Sequence, residues 1–211
     1  MAKKTISGVS IPDDWAQYST QKSDEFEFVH DPMWDTRTYT DNATLNLNFF
    51  TATGAGATPD LTSKVFPLTD SFLLKAIGVF FKIRPFTDDA GAAGAFPSIW
   101  GDLAQLINTG VLNLTIGKKN YGPFPLWKLG AGGGLFGVMC TAGAEAANLV
   151  HDYAQLGSPQ TDALFKLQVP LLIPAQTQVP VSMSWAAAIN TANGDISTCL
   201  YFDGITARSV Q

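Results

Sequence analysis

The sequence predicts an all-β sandwich that forms a single domain. Apolar and polar residues alternate at a period of two at Leu45 to Phe49 and at Val111 to Ile116, which is typical of strands with one buried face. From Leu167 to Gln211, proline-flanked turns separate apolar runs, and the Asn193–Gly194 pair suits a tight hairpin. A chain of 211 residues is long enough to bury one substantial core, so we expect one domain.

The first half of the chain contains three predicted strands and a predicted helix. The strand at residues 45–49 should place its three apolar side chains, Leu45 included, on one face and its two asparagines on the other. Within the stretch from Phe66 to Arg84, residues 72–79 are apolar on both faces except for Lys75, which predicts a strand buried on both faces or nearly so. Ile99 to Ile107 has apolar residues at helical intervals, and Val111 to Ile116 follows as the third strand.

The second half contains a long glycine-rich segment, a predicted helix and three predicted strands. Tyr121 to Gly137 holds two prolines and six glycines, so we expect an irregular loop that makes functional or intermolecular contacts. Thr141 to Leu156 is rich in alanine and predicts a second helix. The last three strands are expected near residues 165–173, 178–189 and 196–207.

An N-terminal arm, residues 1–35, is expected to precede the sandwich domain, residues 36–211. The arm is polar, has no sustained period and is interrupted by prolines. Trp15 and Trp34 are aromatic anchors in this arm that suit contact with a neighbouring subunit, although a strap over its own domain fits the same pattern. Trp127, beside the glycine run, can bury its ring only against a rigid surface. These three tryptophans are the predicted subunit-contact residues.

The composition indicates an oligomer. Charged residues make up 15% of the chain and hydrophobic residues 46%, whereas about a quarter of an average chain is charged. A surface with so few charges favours contact with other subunits. The net charge of -5 argues against coating nucleic acid, because phosphate binding needs clustered Lys and Arg.

Sequence patterns that could indicate catalysis are weak. Gly132, Gly134 and Gly137 satisfy G-x-G-x-x-G, but prolines occur upstream where a dinucleotide-binding fold has an unbroken apolar strand. His30 and His151 are each followed by an aspartate, yet sequence neighbours point in different directions and do not form a base with its orienting acid. We therefore expect no catalytic residue, no enzyme activity, no cofactor and no small-molecule substrate.

Metal and sugar sites have equally weak support. The two histidines and two cysteines share no short spacing, so no metal site is predicted, although a structural calcium at a loop such as Asp88–Asp89 stays open. Carbohydrate binding is the main small-ligand alternative, because sugars stack on exposed tryptophan and the chain has five. Trp185 shares a strand face with Val181 and Met183, which predicts burial instead.

Segments in the C-terminal part of the chain carry a resemblance to a known family. In LLIPAQTQVPVSMSW, an apolar strand is followed by a turn with proline and glutamine and by a strand of alternating small polar and apolar residues. The final FDGITARSVQ has a DG-I-x-x-R finish at Asp203, Gly204, Ile205 and Arg208. Together with the loop from Ile116 to Gly130, these segments resemble the jelly-roll capsid proteins of tailless bacterial viruses (bacteriophages).

The resemblance implies a single jelly-roll β-sandwich with long loops and one or two short helices, because family members with two barrels are generally longer. It implies a structural virion protein, a capsid subunit that self-assembles in the host cytoplasm into an icosahedral shell. The implied partners are other copies of the chain and other capsid proteins, and contact of the arm with an internal membrane or the genome stays open. The alternative is a receptor- or glycan-binding jelly-roll module of a viral spike or fibre.

Overall fold

The computed structural model of the chain describes residues 5–6, 9–10, 26–52, 61–82, 99–130, 136–138, 153–155, 164–191 and 195–209. These residues are mostly in β-strands, and every pair of hydrogen-bonded strands among them is antiparallel. In chain order the elements are β1 (Thr5–Ile6), β2 (Val9–Ser10), β3 (Phe26–His30), β4 (Met33–Tyr39), β5 (Asn46–Phe49), β6 (Ser71–Lys82), α1 (Ile99–Thr109), β7 (Gly110–Ile116), β8 (Lys119–Asn120), β9 (Phe124–Pro125), α2 (Leu126–Leu129), β10 (Phe136–Val138), β11 (Tyr153–Gln155), β12 (Phe165–Ile173), β13 (Val181–Trp185) and β14 (Ile196–Ser209).

Five strands form the first sheet. Its order is β12–β6–β14–β3, and β4 pairs with the other half of the long strand β14, so β3 and β4 lie in line along one edge of it. The break between them falls at Asp31 and Pro32, and the proline has no N–H to donate to a ladder. From Phe72 to Val79 in the central strand β6, only Lys75 is exposed, because both faces of this strand are covered.

Five further strands form the second sheet. Its order is β5–β13–β7–β8, and β9 also pairs with β7, so β8 and β9 follow each other along one edge of β7. In β7 and β13 every second residue is buried and the residues between them are partly exposed. This alternation means that one face of the sheet lies against the core and the other faces outward.

One hydrophobic core joins the two sheets. It takes buried residues from β4, β6 and β14 of the first sheet and from β5, β7 and β13 of the second. The rings of Tyr39 and Trp185, from opposite sheets, meet edge to face with centroids 4.9 Å apart. The indole nitrogen of Trp185 donates a hydrogen bond to the carbonyl oxygen of Leu106 at 3.0 Å, which fastens α1 to the same core. Two sheets around one core are consistent with the predicted sandwich.

Most of the predicted elements are confirmed, and so is the all-β class. The strand expected at residues 45–49 is β5, the apolar stretch 66–84 contains β6, and the strand at 111–116 is β7. The last three predicted strands correspond to β12, β13 and β14, and the helix expected at 99–107 is α1. Trp185 is buried, as its strand face predicts.

Three local predictions are corrected. Leu45 is exposed rather than buried, because it precedes β5 and the register of Cα partners with β13 begins at Asn46. The segment 121–137 is not wholly irregular, since it contains β9 and the helical turn α2. Within the helix predicted for 141–156, residues 153–155 form strand β11 instead and pair with β10, while the other residues of that prediction lie outside the described ones.

The predicted boundary between arm and domain at residue 35 falls inside β4. Residues 26–30 and 33–35 of the predicted arm pair with β14, so this part of the arm belongs to the first sheet. Nearer the N-terminus, β1 and β2 pair with each other. Residues 11–25, and with them Trp15, lie outside the described part of the chain.

Candidate subunit-contact surface

Two of the three predicted contact tryptophans are in the described residues, on separate elements. Trp34 lies in β4 on the outer side of the first sheet and is 37% exposed. Trp127 lies in α2 and is 55% exposed. The surface around Trp34 is built from several chain segments: β4, the end of β5 and residues 61–65.

A short extended segment, residues 61–65, covers the free edge of β4. The backbone N–H of Thr36 donates to the carbonyl oxygen of Leu61, and that of Ser63 donates to the carbonyl oxygen of Trp34, both at 2.8 Å. The antiparallel bridge between them is centred on Asp35 and Thr62. We call residues 61–65 the edge strap.

The edge strap is fastened by its two inward-pointing polar side chains. The hydroxyl of Thr62 donates to Asp35 at 2.6 Å, and the ammonium group of Lys64 forms an ion pair with Asp31. Because side chains alternate along an extended chain, Leu61 and Val65 then lie on the exposed side of the strap. The hydroxyl of Ser63, between them, accepts from the backbone N–H of Trp34 and donates to its carbonyl oxygen, both at 2.8 Å. The fastening therefore exposes the two apolar side chains of the strap on the side where Trp34 lies.

Asp35 is the central anchor of this arrangement. Its carboxylate is fully buried and accepts hydrogen bonds from the guanidinium of Arg37 at 2.9 and 3.1 Å, from Thr62 and from the backbone N–H of Phe50. Phe50 has a φ of 55°, a left-handed conformation that costs an aromatic residue free energy. The hydrogen bond that its backbone N–H donates to Asp35 stabilises this conformation. One carboxylate thus joins β4, the end of β5 and the edge strap.

Asp31 is the second anchor. It accepts hydrogen bonds from Lys64 and from the hydroxyl of Thr206 at 2.7 Å, and the guanidinium of Arg208 lies 3.6 Å away. Burial alone would raise the pKa of Asp31, but the hydrogen bonds and the positive charges of Lys64 and Arg208 outweigh burial. The net effect is a pKa below the ordinary value of 3.8.

We expect the anchor at Asp31 to contribute stability that disappears in acid. A carboxylate with a lowered pKa in the folded state stabilises the fold above its ordinary pKa, and this contribution is lost as the pH falls through the lowered value. Asp31→Asn should cost about 1.5 kcal/mol at pH 7, typical for hydrogen bonds to a charged group. Urea unfolding at pH 7 and pH 2.5 measures the difference from the unmodified chain, which should shrink at the lower pH. An equal difference at both pH values would contradict the assignment.

Together the anchors present three exposed apolar side chains, which we call the apolar ridge: Trp34, Leu61 and Val65. They are 37%, 60% and 42% exposed. Exposed apolar side chains of this size at one edge of a sheet are typical of contact sites, where tryptophan often contributes most of the binding free energy. Hydrogen bonds between the strap and β4 hold the backbone that carries these side chains.

Sequence reasoning found Trp34 but missed the rest of the ridge. In Leu61–Thr62–Ser63–Lys64–Val65 only the first and the last residues are apolar, so the sequence has no alternation of apolar and polar residues that would mark an extended segment. Thr62 and Lys64 point inward because their partners, the buried Asp35 and the partly buried Asp31, lie on that side.

The sequence neighbours His30 and Asp31 have different partners. The imidazole Nε2 of His30 lies 2.7 Å from a carboxylate oxygen of Asp203, on the exposed outer side of the first sheet, while Asp31 binds Lys64 and Thr206. Tyr201 is close to the same carboxylate, and burial together with the negative charge of Asp203 raises the pKa of its phenol. With a pKa above its ordinary value of 10.0, the phenol of Tyr201 is neutral at pH 7.

Trp127 has a simpler setting. Leu126 and Leu129 of α2 are buried, so Trp127 and Lys128 between them point away from the core. The ammonium group of Lys128 lies 5.2 Å from the centre of the Trp127 ring, within range of a cation–π contact. Trp127 is therefore exposed in the single chain, and its contact with a neighbouring subunit stays a prediction.

Among the described residues, no group of three or more His, Cys, Asp or Glu is placed to hold a metal ion. Within that part of the chain, no helix is long and apolar enough to cross a membrane. Gly132, Gly134 and His151 lie outside it.

Comparison with known proteins gives no match. No protein-family model, no curated protein and no solved structure matches the chain.

Proposed function

We propose that the chain is a jelly-roll coat subunit that self-assembles into an icosahedral shell, as in tailless bacterial viruses. The observation that carries the proposal is the order in which the strands pair. A jelly roll can be pictured as one long antiparallel ribbon of eight strands, paired first with eighth, second with seventh, third with sixth and fourth with fifth, and then rolled into two sheets.

The pairings of this chain follow that scheme. If β3–β4 and β8–β9 each count as one interrupted strand, the four ribbon pairs are β4 with β14, β5 with β13, β6 with β12, and β7 with β8–β9. Rolling the ribbon should also bring the eighth strand beside the third and the seventh beside the fourth. The pairings of β14 with β6 and of β13 with β7 meet this requirement.

Jelly-roll folds occur both in coat proteins and in binding modules, so the fold alone does not distinguish these two functions. The surface of the chain has to distinguish them. Only 15% of the chain is charged, and the apolar ridge exposes three large side chains at one edge of a sheet. Assembly would bury these side chains, and a shell repeats the same contact at every subunit. The ridge thus favours self-assembly.

Light scattering after size exclusion, followed by negative-stain imaging, tests the proposal. We expect the purified chain to form closed oligomers or particles at micromolar concentration. Trp34→Ala combined with Leu61→Ser should shift this population towards monomers by tenfold or more, because truncating a central aromatic contact typically costs about 2 kcal/mol or more.

Leu45→Ser is the matched control, because Leu45 is also an exposed leucine, at 46%, but is not part of the ridge. This variant should assemble like the unmodified chain. A chain that stays monomeric at all concentrations would contradict the coat proposal. If such a monomer bound a glycan through Trp127, the binding-module alternative would replace it.

A further inference from the structure

The outer face of the second sheet has an unusual chemical composition. Its outward positions are occupied by amides and hydroxyls, and we call this set the neutral face: Asn46, Asn48, Asn113, Thr115, Asn120, Ser182 and Ser184. Val111 and Pro125, which are paired with each other, complete it. Among the described strands β5, β13, β7, β8 and β9 the one charged residue is Lys119, which is exposed at the edge of the sheet. Its register partner is the buried Ile116, so Lys119 belongs to the core-facing side and the outward positions carry no charge.

The strand register fixes the layout of this face. Ser182 lies at its centre, directly between Asn48 of β5 and Asn113 of β7. In the neighbouring row, Ser184 accepts a hydrogen bond from the amide nitrogen of Asn113 at 3.1 Å. The side chains at the centre are short, so the face is flat enough for close approach.

The first sheet shows that neutrality is not a general property of this chain. On its outer side, Lys166 and Asp203 flank Ala76, and the exposed His30 pairs with the same aspartate. Charged side chains are normal on sheet faces that stay in water, and they also discourage association. Their absence from the outward positions of the second sheet suggests a face that loses its water, since burying an unpaired charge is costly.

We propose that the neutral face packs against the neutral face of a second copy about a two-fold axis. Each asparagine, serine and threonine can donate and accept hydrogen bonds, so the face is complementary to itself without any repulsion between like charges. A contact of this kind buries the same patch on both subunits.

A neutral sugar is a less suitable occupant. Sugars bind largely by stacking on aromatic rings, and no aromatic side chain projects outward from the described strands of this face. A second copy needs no such ring, because flat sheet faces can pack directly on each other.

The area of the neutral face determines how strongly this contact would hold two subunits together. Four strands spaced about 4.8 Å apart and about five residues long give roughly 300 Å² per copy. Stable interfaces bury about 800 Å² per partner, so the neutral face alone would hold two subunits only weakly. The inference therefore rests on the proposed coat function, in which other contacts bring subunits together and raise the effective concentration of this one.

Charge complementation at Ser182 tests the inference. With the two-fold axis close to Ser182, at the centre of the face, Ser182→Glu and Ser182→Lys each place like charges opposite one another. Either variant alone should then lose assembled particles by roughly tenfold or more. An equimolar mixture of the two should recover assembly, because opposite charges then face each other. Circular dichroism of each variant verifies that the fold is kept.

Gln168→Glu and Gln168→Lys are the matched controls, since Gln168 is exposed on β12 of the other sheet. They should assemble normally, alone or mixed. If the unmodified chain assembles and the Ser182 variants do too, the two-fold contact is wrong while the coat function survives. If both single variants fail and the mixture fails as well, the charge pairing that the axis requires is absent and the inference is again overturned. Failure of the unmodified chain to assemble would contradict the proposed function itself.

Discussion

Asp35→Ala is expected to destabilise the fold by about 3–5 kcal/mol, because it leaves the guanidinium of Arg37, whose side chain is only 11% exposed, without its counter-charge. Arg37 would keep only its bonds to Thr51 and Thr62, and the backbone N–H of Phe50 would lose its acceptor. Whole domains are stable by only about 5–15 kcal/mol, so urea unfolding should show a large shift of the midpoint. The edge strap should also loosen, and hydrogen exchange at the Leu61 and Ser63 amides reports on that.

Two comparisons separate the buried charge from a general effect of mutation. Asp70→Ala removes a more accessible carboxylate whose hydrogen bond from Thr69 is long, at 3.3 Å, so it should cost less than about 0.5 kcal/mol. Adding Arg37→Met to Asp35→Ala should restore part of the stability, because the unpaired buried charge is then gone. A double variant less stable than Asp35→Ala alone would contradict this explanation.

The strands that carry the fold could be predicted because their pattern is local. Val111 to Ile116 alternates cleanly, and the structure buries every second residue of β7. The apolar stretch of β6 predicted burial on both faces, and the coverage of this strand confirms it. In both cases one short window of sequence contains the whole signal.

The anchors of the apolar ridge could not be predicted, because their partners are distant in sequence. Asp35 meets Thr62, and Asp31 meets Lys64 and Thr206, only after the first sheet and the edge strap have formed. Nothing local marks Asp35 as buried or Asp31 as the partner of Lys64. The irregular loop predicted for the glycine-rich segment was wrong for a different reason. Leu126 to Leu129 form a helical turn despite the prolines and glycines around them.

Gly204→Ala is expected to cost about 3 kcal/mol, because there is no room for another carbon atom at this position of β14. An added Cβ would overlap the carbonyl oxygen of Leu73 and the ring of Phe72. The strand register shifts between Asp203 and Gly204, which brings the backbone of β6 close at this point. A backbone carbonyl cannot move aside without disturbing the β6–β14 ladder. Chemical denaturation of the variant measures the loss.

Gly117→Ala separates this crowding from the general cost of replacing glycine. Gly117 has a φ of 59°, which alanine adopts at a cost of roughly 1 kcal/mol, but an added Cβ there meets no atom within 4 Å. The loss at Gly204 should therefore exceed the loss at Gly117 about threefold. Equal losses would mean that β6 can shift to accommodate the methyl group. The backbone N–H of Asp31 donates to the carbonyl oxygen of Gly204. Such a shift would therefore also displace Asp31, one of the two residues that anchor the edge strap.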